Sequence, residues 1–582
     1  MVPYRSRGIE AEGAERALIH SDGATFTLVT GARSHYDGLI CQRSDKSGFR
    51  AIKILDSIFF DAEPIERVTC EPRVIIAEHA DGLIVTYTLE STSRSTTLTV
   101  RMSRPVSGTL RFDMRHVYDS QPFHKHYALE DLNARGARAY ALAFSKESVG
   151  DRRYDIAETV RFGLYGAGVR DERIDRWTLL EDAFDARRTA SPASHHVYEP
   201  VSFDACETII LTTKTRLAPS SEVPRVEPVE DRTSLARIAA IEQLKGSVLT
   251  RGSAKHILAG FPWFFQEWNR DTAMSIGGMR SILAASERVN ILMRLAKSLS
   301  VSEASILSDP TSLRTADAMG LVMWRLSEEE LSAHKRKTVA KILEDHLHGL
   351  DARIREGLIT SGERETWMDT MRGWREGACI EIQALYARML SYAFALTGYN
   401  HYAEQRARFI ERVREAFIGE DGRIIDHLDP EGNAFAFATN NAFLAYVIDP
   451  GLFEEGTWLW TFDEWLVRLS RPEHPGILFS LEERSPLFRP FHEGTSDESY
   501  HRGDSWLFMN HLAALALARL DRDRYAERIR AIIDASVHDS LELGAFLGLS
   551  EVSSAHRHDS NGCWAQTWSA ATLLELLEEL ER

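Results

Sequence analysis

The sequence predicts a multidomain chain, an N-terminal antiparallel β-sandwich followed by a large all-α domain. Three observations predict it. Apolar residues repeat at every second position before about residue 215, a Pro-, Ser- and charge-rich stretch follows, and helical spacing then runs to the end of the chain. The 582 residues leave room for two such domains, each with its own core.

In the first part, Leu98, Val100 and Met102 alternate with Thr99 and Arg101, and Leu110, Phe112 and Met114 alternate with Arg111 and Asp113. Side chains of a strand point to opposite faces in turn, so one face of each segment is apolar. Asp81-Gly82 separates Val74-Ile75-Ile76 from the run Leu83 to Tyr87, a hairpin signal. Many such segments divided by turn residues point to a sandwich over residues 1–215. The stretch from Leu217 to Pro228 has the composition of an extended linker, here bounded at 216–232. From 233 to 582 the period is helical. Ile382, Leu385, Tyr386, Met389 and Ala393 follow one helical face that ends near Gly398, and Ala570, Leu573, Leu574 and Leu577 follow another.

Composition narrows the class. The hydrophobic fraction of 44% and charged fraction of 27% are those of an ordinary globular protein. A net charge of −17 offers no electrostatic footprint for nucleic acid or an anionic membrane surface. Five scattered cysteines suggest neither a disulfide framework nor a zinc site, so no metal or cofactor is expected. No apolar stretch resembles a membrane span, and Met1 to Arg7 lacks the apolar core of a secretory signal. The expectation is a cytoplasmic protein.

Between Phe261 and Asp271, five aromatics are followed by an adjacent Arg and Asp. Rings offer flat walls to the C–H faces of a sugar, and Arg270 and Asp271 offer donors and acceptors to its hydroxyls. The same residues are equally compatible with an aromatic cluster under a loop and a local Arg270–Asp271 ion pair. Asp369 follows Trp367, and a ring beside a carboxyl lowers its solvation and keeps it protonated, the state a general acid needs. Asp369 also suits a helix N-cap. Glu551 lies between an apolar stretch and a polar run and can equally be an exposed loop residue, while Glu381, Glu493 and Glu498 compete with it on spacing alone.

Several segments, in order, resemble the amylo-α-1,6-glucosidase family, the glucosidase half of glycogen debranching enzymes. They are Pro262-Trp263-Phe264 with Trp268-Asn269-Arg270-Asp271-Thr272; Thr315-Ala316-Asp317-Ala318; Thr366-Trp367-Met368-Asp369; Glu381-Ile382-Gln383-Ala384-Leu385; Tyr500-His501-Arg502-Gly503 with Trp506; and Ala565-Gln566-Thr567-Trp568-Ser569. His35 to Leu39 is similar to the family's Arg-Tyr-His-Gly-Leu.

The resemblance implies an (α/α)6 barrel, with the site where its loops converge at one end, and an inverting glycoside hydrolase acting on a non-reducing glucosyl end of an α-glucan or oligosaccharide. By motif position Asp369 corresponds to the general acid and Glu551 to the general base, a pair that needs about 6.5–9.5 Å between carboxyls to admit a water. Arg270 and Asp271 then grip hydroxyls, and Trp263, Trp268 and Trp367 form walls. Asp317, Glu381, Tyr500, His501, Gln566 and Trp568 complete the expected substrate-binding set.

The chain departs from the family at Asn269, where Gly is usual, at Asp504-Ser505 before Trp506, and at Trp564, where Pro is usual. Residues before the linker read as a sandwich rather than a (β/α)8 barrel, so no glucan-transferase half is expected. The expected activity is hydrolysis of a single α-1,6 glucosyl stub. Glucoamylase-like or trehalase-like hydrolysis, phosphorolysis, and a glycan-binding protein without catalysis are the alternatives. Retention of Asp369 and Glu551 favours hydrolysis.

Overall fold

The computed structural model describes residues 16–45, 48–71, 73–92, 94–119, 121–132, 138–150, 154–187, 193–217, 231–307, 309–370, 374–494 and 497–582. Most of the predicted linker, 218–230, lies outside them. The chain divides into two compact units. The first comprises Met1–Ser253, Gly260–Phe265 and Ser540–Gly548, and the second Ala254–Ala259, Gln266–Asp539 and Leu549–Arg582.

The first unit is built on a 14-stranded, predominantly antiparallel sheet. Its axis is the pair Ser95–His116 and Ser194–Thr212, strands of 22 and 19 residues whose register shifts at bulges between Tyr198 and Ser202 and again near Cys206. Bulges bend such long strands, and the sheet closes over itself. Phe26 thus stacks on Tyr87 at 5.2 Å, although their strands are not hydrogen-bonded neighbours. The hairpin signal holds, with Val74–His79 paired to Ile84–Thr92 around Gly82 at φ 78°.

The alternation from Leu110 to Met114 differs in one respect from its sequence reading. Asp113, on the polar side, is fully buried. It receives Lys53 at 3.4 Å, Arg115 at 2.9 Å and Lys125 at 2.5 Å. Burial opposes ionisation, but Lys125, Arg115 and Lys53 hold its carboxyl well below the usual range. Lys53 and Arg115 also donate to the His35 carbonyl at 2.9 and 2.7 Å, fixing the loop that carries His35 to Leu39. Gly38 there has φ 95°, and a Cβ would lie 2.1 Å from the Leu55 carbonyl, so only glycine fits.

Within the second unit, six helices among the described residues are buried almost all round: Asn269–Ser275, Ala318–Leu326, Ile380–Thr397, Asn441–Ile448, Leu507–Asp521 and Thr567–Leu580. Each packs on the next, and the last packs on the first. The apolar face read from Ile382 to Ala393 is buried, but so are Glu381, Gln383, Ala384 and Ala387, as befits a helix enclosed by neighbours. Gly398 ends that helix in the left-handed conformation at φ 75°, donating to the Phe394 carbonyl at 2.8 Å. Amphipathic helices such as Ala285–Leu299 and Asn400–Phe417 alternate with the buried ones along the chain. Among the described residues no helix is long and apolar enough to cross a membrane.

Candidate active site

Polar residues stand at or immediately before the start of five of the six buried helices, and an indole stands at the remaining one. Arg270 and Asp271 lie in the first turn of Asn269–Ser275, Asp317 is the N-cap of Ala318–Leu326, and Glu381 is in the first turn of Ile380–Thr397. Asn441 begins the fourth helix, Trp506 caps the fifth, and Gln566 caps the sixth. Unpaired backbone N–H groups give a helix N-terminus a partial positive charge, which favours carboxylates and oxygen-rich ligands.

Side-chain contacts join these starts to one another. Arg270 donates through Nε to Asp317 and through Nη1 to Asp369, both at 2.8 Å. Burial opposes its charge, while Asp317 and Asp369 hold it firmly protonated. It is not the local partner of Asp271. Gln566 Nε2 donates to Asp271 Oδ1 at 3.2 Å, joining the start of the sixth helix to that of the first. Burial, with the charges of Glu551 and Asp369 added and Arg270 opposing, pushes the Asp271 carboxyl up to about 8. Both flanking carboxylates therefore act on Asp271.

Asp369 caps no helix; the described residues following it up to 379 are not helical. Its side chain is 25% exposed and rests against Arg270, and Arg364 Nε donates to its carbonyl at 3.0 Å. Trp367 is fully buried, with its ring edge-on to His501, Trp506 and Phe508 and its Nε1 donating to Asn441 at 2.6 Å. It is a strut beneath the segment that carries Asp369.

Glu551 is not an exposed loop residue but is 4% exposed. Its Oε2 accepts from the Cys563 N–H at 2.8 Å and from the Tyr500 hydroxyl at 3.3 Å. The adjoining pair Val552–Ser553 is hydrogen-bonded antiparallel to Ser505–Trp506, which ties this carboxylate to the start of the fifth helix. Gly562 has φ 68°, and a Cβ there would lie 2.4 Å from Glu551 Oε2.

Glu381 is buried at 1% exposure, and both its oxygens accept from Arg375, at 2.6 and 2.8 Å. Arg375 also binds Asp426 at 2.9 Å, and Asp426 accepts from Asn441 at 2.8 Å. This network supports the helix starts from below. His501 stacks on Trp506 at 5.0 Å and meets Thr370 Oγ1 at 3.2 Å through Nδ1. Burial, followed by Arg270, Arg375 and Arg502, keeps its ring neutral. Trp568 stacks on Phe508 at 4.1 Å. Trp268 is half-buried and bridges to Ile306 through its backbone.

The segment from Phe261 to Asp271 divides between the units. Phe261 and Phe265 belong to the core of the first, where Phe261 stacks on His20 at 4.8 Å. Trp263 lies in that unit too, its carbonyl held by the Tyr118 hydroxyl at 3.0 Å.

Around the helix starts, several buried polar atoms have no protein partner among the described residues: Arg270 Nη2, Asp317 Oδ1, His501 Nε2 and Trp568 Nε1. Buried donors and acceptors are costly unless something satisfies them. Arg364, Arg375, Asp426 and Asn441 were not singled out from the sequence. The signal was available in part, since a polar residue precedes each long apolar run, as Asn440-Asn441 precedes Ala442 to Ile448.

A stability prediction follows from Asp271. Below the unfolded pKa of about 3.9 both folded and unfolded states hold its proton. As pH rises, the unfolded chain ionises while the folded site keeps its proton to about 8, so this group lowers stability across that window. Asp271→Asn escapes this loss. Its stability relative to wild type, from urea unfolding, is expected to rise by about 2–3 kcal/mol between pH 5 and pH 7. A gap that stays constant contradicts the buried, protonated carboxyl.

The family model Amylo-alpha-1,6-glucosidase matches residues 301–575, a span containing Asp317, Asp369, Glu381, Glu551 and Gln566. No curated protein matches the chain by sequence. Among solved structures, a bacterial glucoamylase complexed with acarbose aligns at a TM-score of 0.59 and 9% identity, covering 98% of this chain and 94% of that one. It shares the fold, a sheet domain followed by a helical region. A GH63 mannosylglycerate hydrolase from Thermus thermophilus aligns at a TM-score of 0.46 and 16% identity, over 58% of this chain and 99% of that one. On the family match, the chain is a glycoside hydrolase.

Proposed function

We propose that the protein is an inverting α-glucosidase of the debranching type, which releases glucose from single α-1,6 stubs on an (α/α)6 barrel. The observation that carries this reading is the set of unpartnered buried atoms on Arg270, Asp317, His501 and Trp568, flanked by Asp369 and Glu551. Donors and acceptors fixed in a ring, beside stacked indoles, suit a polyhydroxylated ring with apolar C–H faces.

In this reading Asp369 protonates the leaving glycosidic oxygen, and Glu551 removes a proton from the attacking water on the opposite face. Substrate must first separate Asp369 from Arg270 Nη1; the hydroxyls of the terminal glucose supply replacement acceptors, and Asp317 continues to hold the guanidinium. Asp271, neutral below about pH 8, can donate to a hydroxyl. His501, neutral as well, orients rather than titrates.

Glucose release from a singly branched glucosyl limit dextrin, set against maltose, panose and trehalose, tests the substrate. The limit dextrin is expected to give the highest kcat/KM; faster cleavage of trehalose or of linear maltooligosaccharides overturns the debranching assignment. Gly562→Ala tests the setting of Glu551. The added methyl collides with Oε2 and strains a left-handed residue, so the carboxylate is displaced from its two donors. The expected result is a fall in kcat of about a hundredfold in a folded protein; retention of full turnover removes Glu551 from the role of base.

A further inference from the structure

We propose that Asp539 is a positioning residue for the hydrolytic reaction, holding Glu551 in place through its neighbour Ser550. The inference rests on the reading of Glu551 as the base.

The backbone leading into Glu551 shows where the hold acts. The Gln566 N–H donates to the Leu549 carbonyl at 2.8 Å, and the Glu551 N–H donates to the Cys563 carbonyl at 2.9 Å. The Ser550 N–H between them takes a different partner. It donates to Asp539 Oδ2 at 2.8 Å, and the Ser550 hydroxyl donates to Asp539 Oδ1, also at 2.8 Å. The peptide joining Leu549 to Ser550 is thus pinned through its carbonyl on one side and its N–H on the other. Asp539 and Ser550 are both buried, so loss of the carboxylate leaves a buried donor unsatisfied.

Asp539 belongs to the helix Ala526–Glu542, which supplies none of the candidate site residues. Its two oxygens nevertheless meet the residue directly before Glu551. Asp559 makes the same pair of contacts with Ser554, at 2.7 Å to its N–H and 3.0 Å to its hydroxyl. Glu551 therefore lies on a short segment gripped by an aspartate at each end. A base must meet its water at hydrogen-bond distance, and displacement by about 1 Å is enough to cost about a hundredfold in rate. A tie that served folding alone would affect every property of the site, whereas one acting through Glu551 affects the step that needs a base.

The test measures kcat and KM on a singly branched glucosyl limit dextrin for Asp539→Ala, Asp539→Asn and Glu551→Gln in the full chain. Asp539→Ala is expected to lower kcat about ten- to a hundredfold, with KM changed by no more than a few-fold. Burial, opposed by the Ser550 N–H and hydroxyl, pushes the Asp539 carboxyl up to about 7, so a neutral amide is a close match near that pH. Asp539→Asn still accepts from the N–H and can donate to the hydroxyl, and is expected to recover most of the loss. A second reading separates positioning from general damage. Azide attacks α-glucosyl fluoride without a base, so β-glucosyl azide formation by Glu551→Gln is expected to change by less than about twofold when Asp539→Ala is added. An azide rate that falls as far as hydrolysis does overturns the proposal, as does unchanged kcat in folded Asp539→Ala. Ser550→Ala, which removes the hydroxyl contact alone, serves if Asp539→Ala does not fold; a fall in kcat of about three- to tenfold is expected, and unchanged kcat again overturns the proposal. Full turnover by Glu551→Gln overturns instead the reading of Glu551 as base. Loss of turnover in Glu551→Gln beside a fully active Asp539→Ala overturns the positioning role alone.

Discussion

Asp369→Asn is expected to lower kcat on an α-1,6-linked glucan by about 10²- to 10⁴-fold, the range for removal of a positioned general acid. The amide keeps the shape and can still accept from Arg270 Nη1, which retains its second carboxylate at Asp317. The site should therefore stay assembled, and glucan binding should change by no more than a few-fold. Substrate dependence separates this from simple damage. α-Glucosyl fluoride has a leaving group that departs without protonation, so the variant should hydrolyse it at a rate close to wild type. Equal loss on both substrates shows that the substitution has disrupted the site; unchanged turnover of the glucan removes Asp369 from the role of acid.

Glu551→Gln is expected to produce a loss of similar size, but on both substrates, because the attacking water is needed whatever group leaves. The amide oxygen can take the places of Oε2 at the Cys563 N–H and the Tyr500 hydroxyl, so the local fold survives. Only the capacity to accept a proton is removed. A small anionic nucleophile that needs no deprotonation should restore the reaction with α-glucosyl fluoride. Added azide is expected to yield β-glucosyl azide in this variant. Failure of azide to rescue a folded protein points to a positioning role for Glu551.

Much of the fold was legible because burial is periodic. The alternation at Leu98 to Met102 and the face from Ile382 to Ala393 both record which side chains leave water. Such patterns do not distinguish an outward polar residue from one buried against a countercharge, and Asp113, on the polar side of its strand, lies at the centre of an ion cluster. The segment from Phe261 to Asp271 shows the same limit. Phe261 and Phe265 are buried in the first unit, whereas Trp268, Arg270 and Asp271 belong to the second, the last two at a helix start.

The candidate carboxylates were legible through the family resemblance, not through spacing. Asp369 and Glu551 are far apart in sequence, and periodicity reports only on near neighbours. Their surroundings were less legible still. A tryptophan two positions before Asp369 suggested a desolvating wall, but the ring is turned into the core and the carboxyl meets Arg270 instead. Arg375 and Asp426, which hold Glu381 and Asn441 beneath the site, carry no local signal because their partners come from other helices.

Two carboxylates acting from opposite faces of the sugar impose a stereochemical result. Proton nuclear magnetic resonance during the first minutes of hydrolysis of an α-1,6-linked glucan, before mutarotation, reads the anomer of the glucose released. β-Glucose as the initial product is what attack by a Glu551-activated water requires; initial α-glucose contradicts the inverting pair.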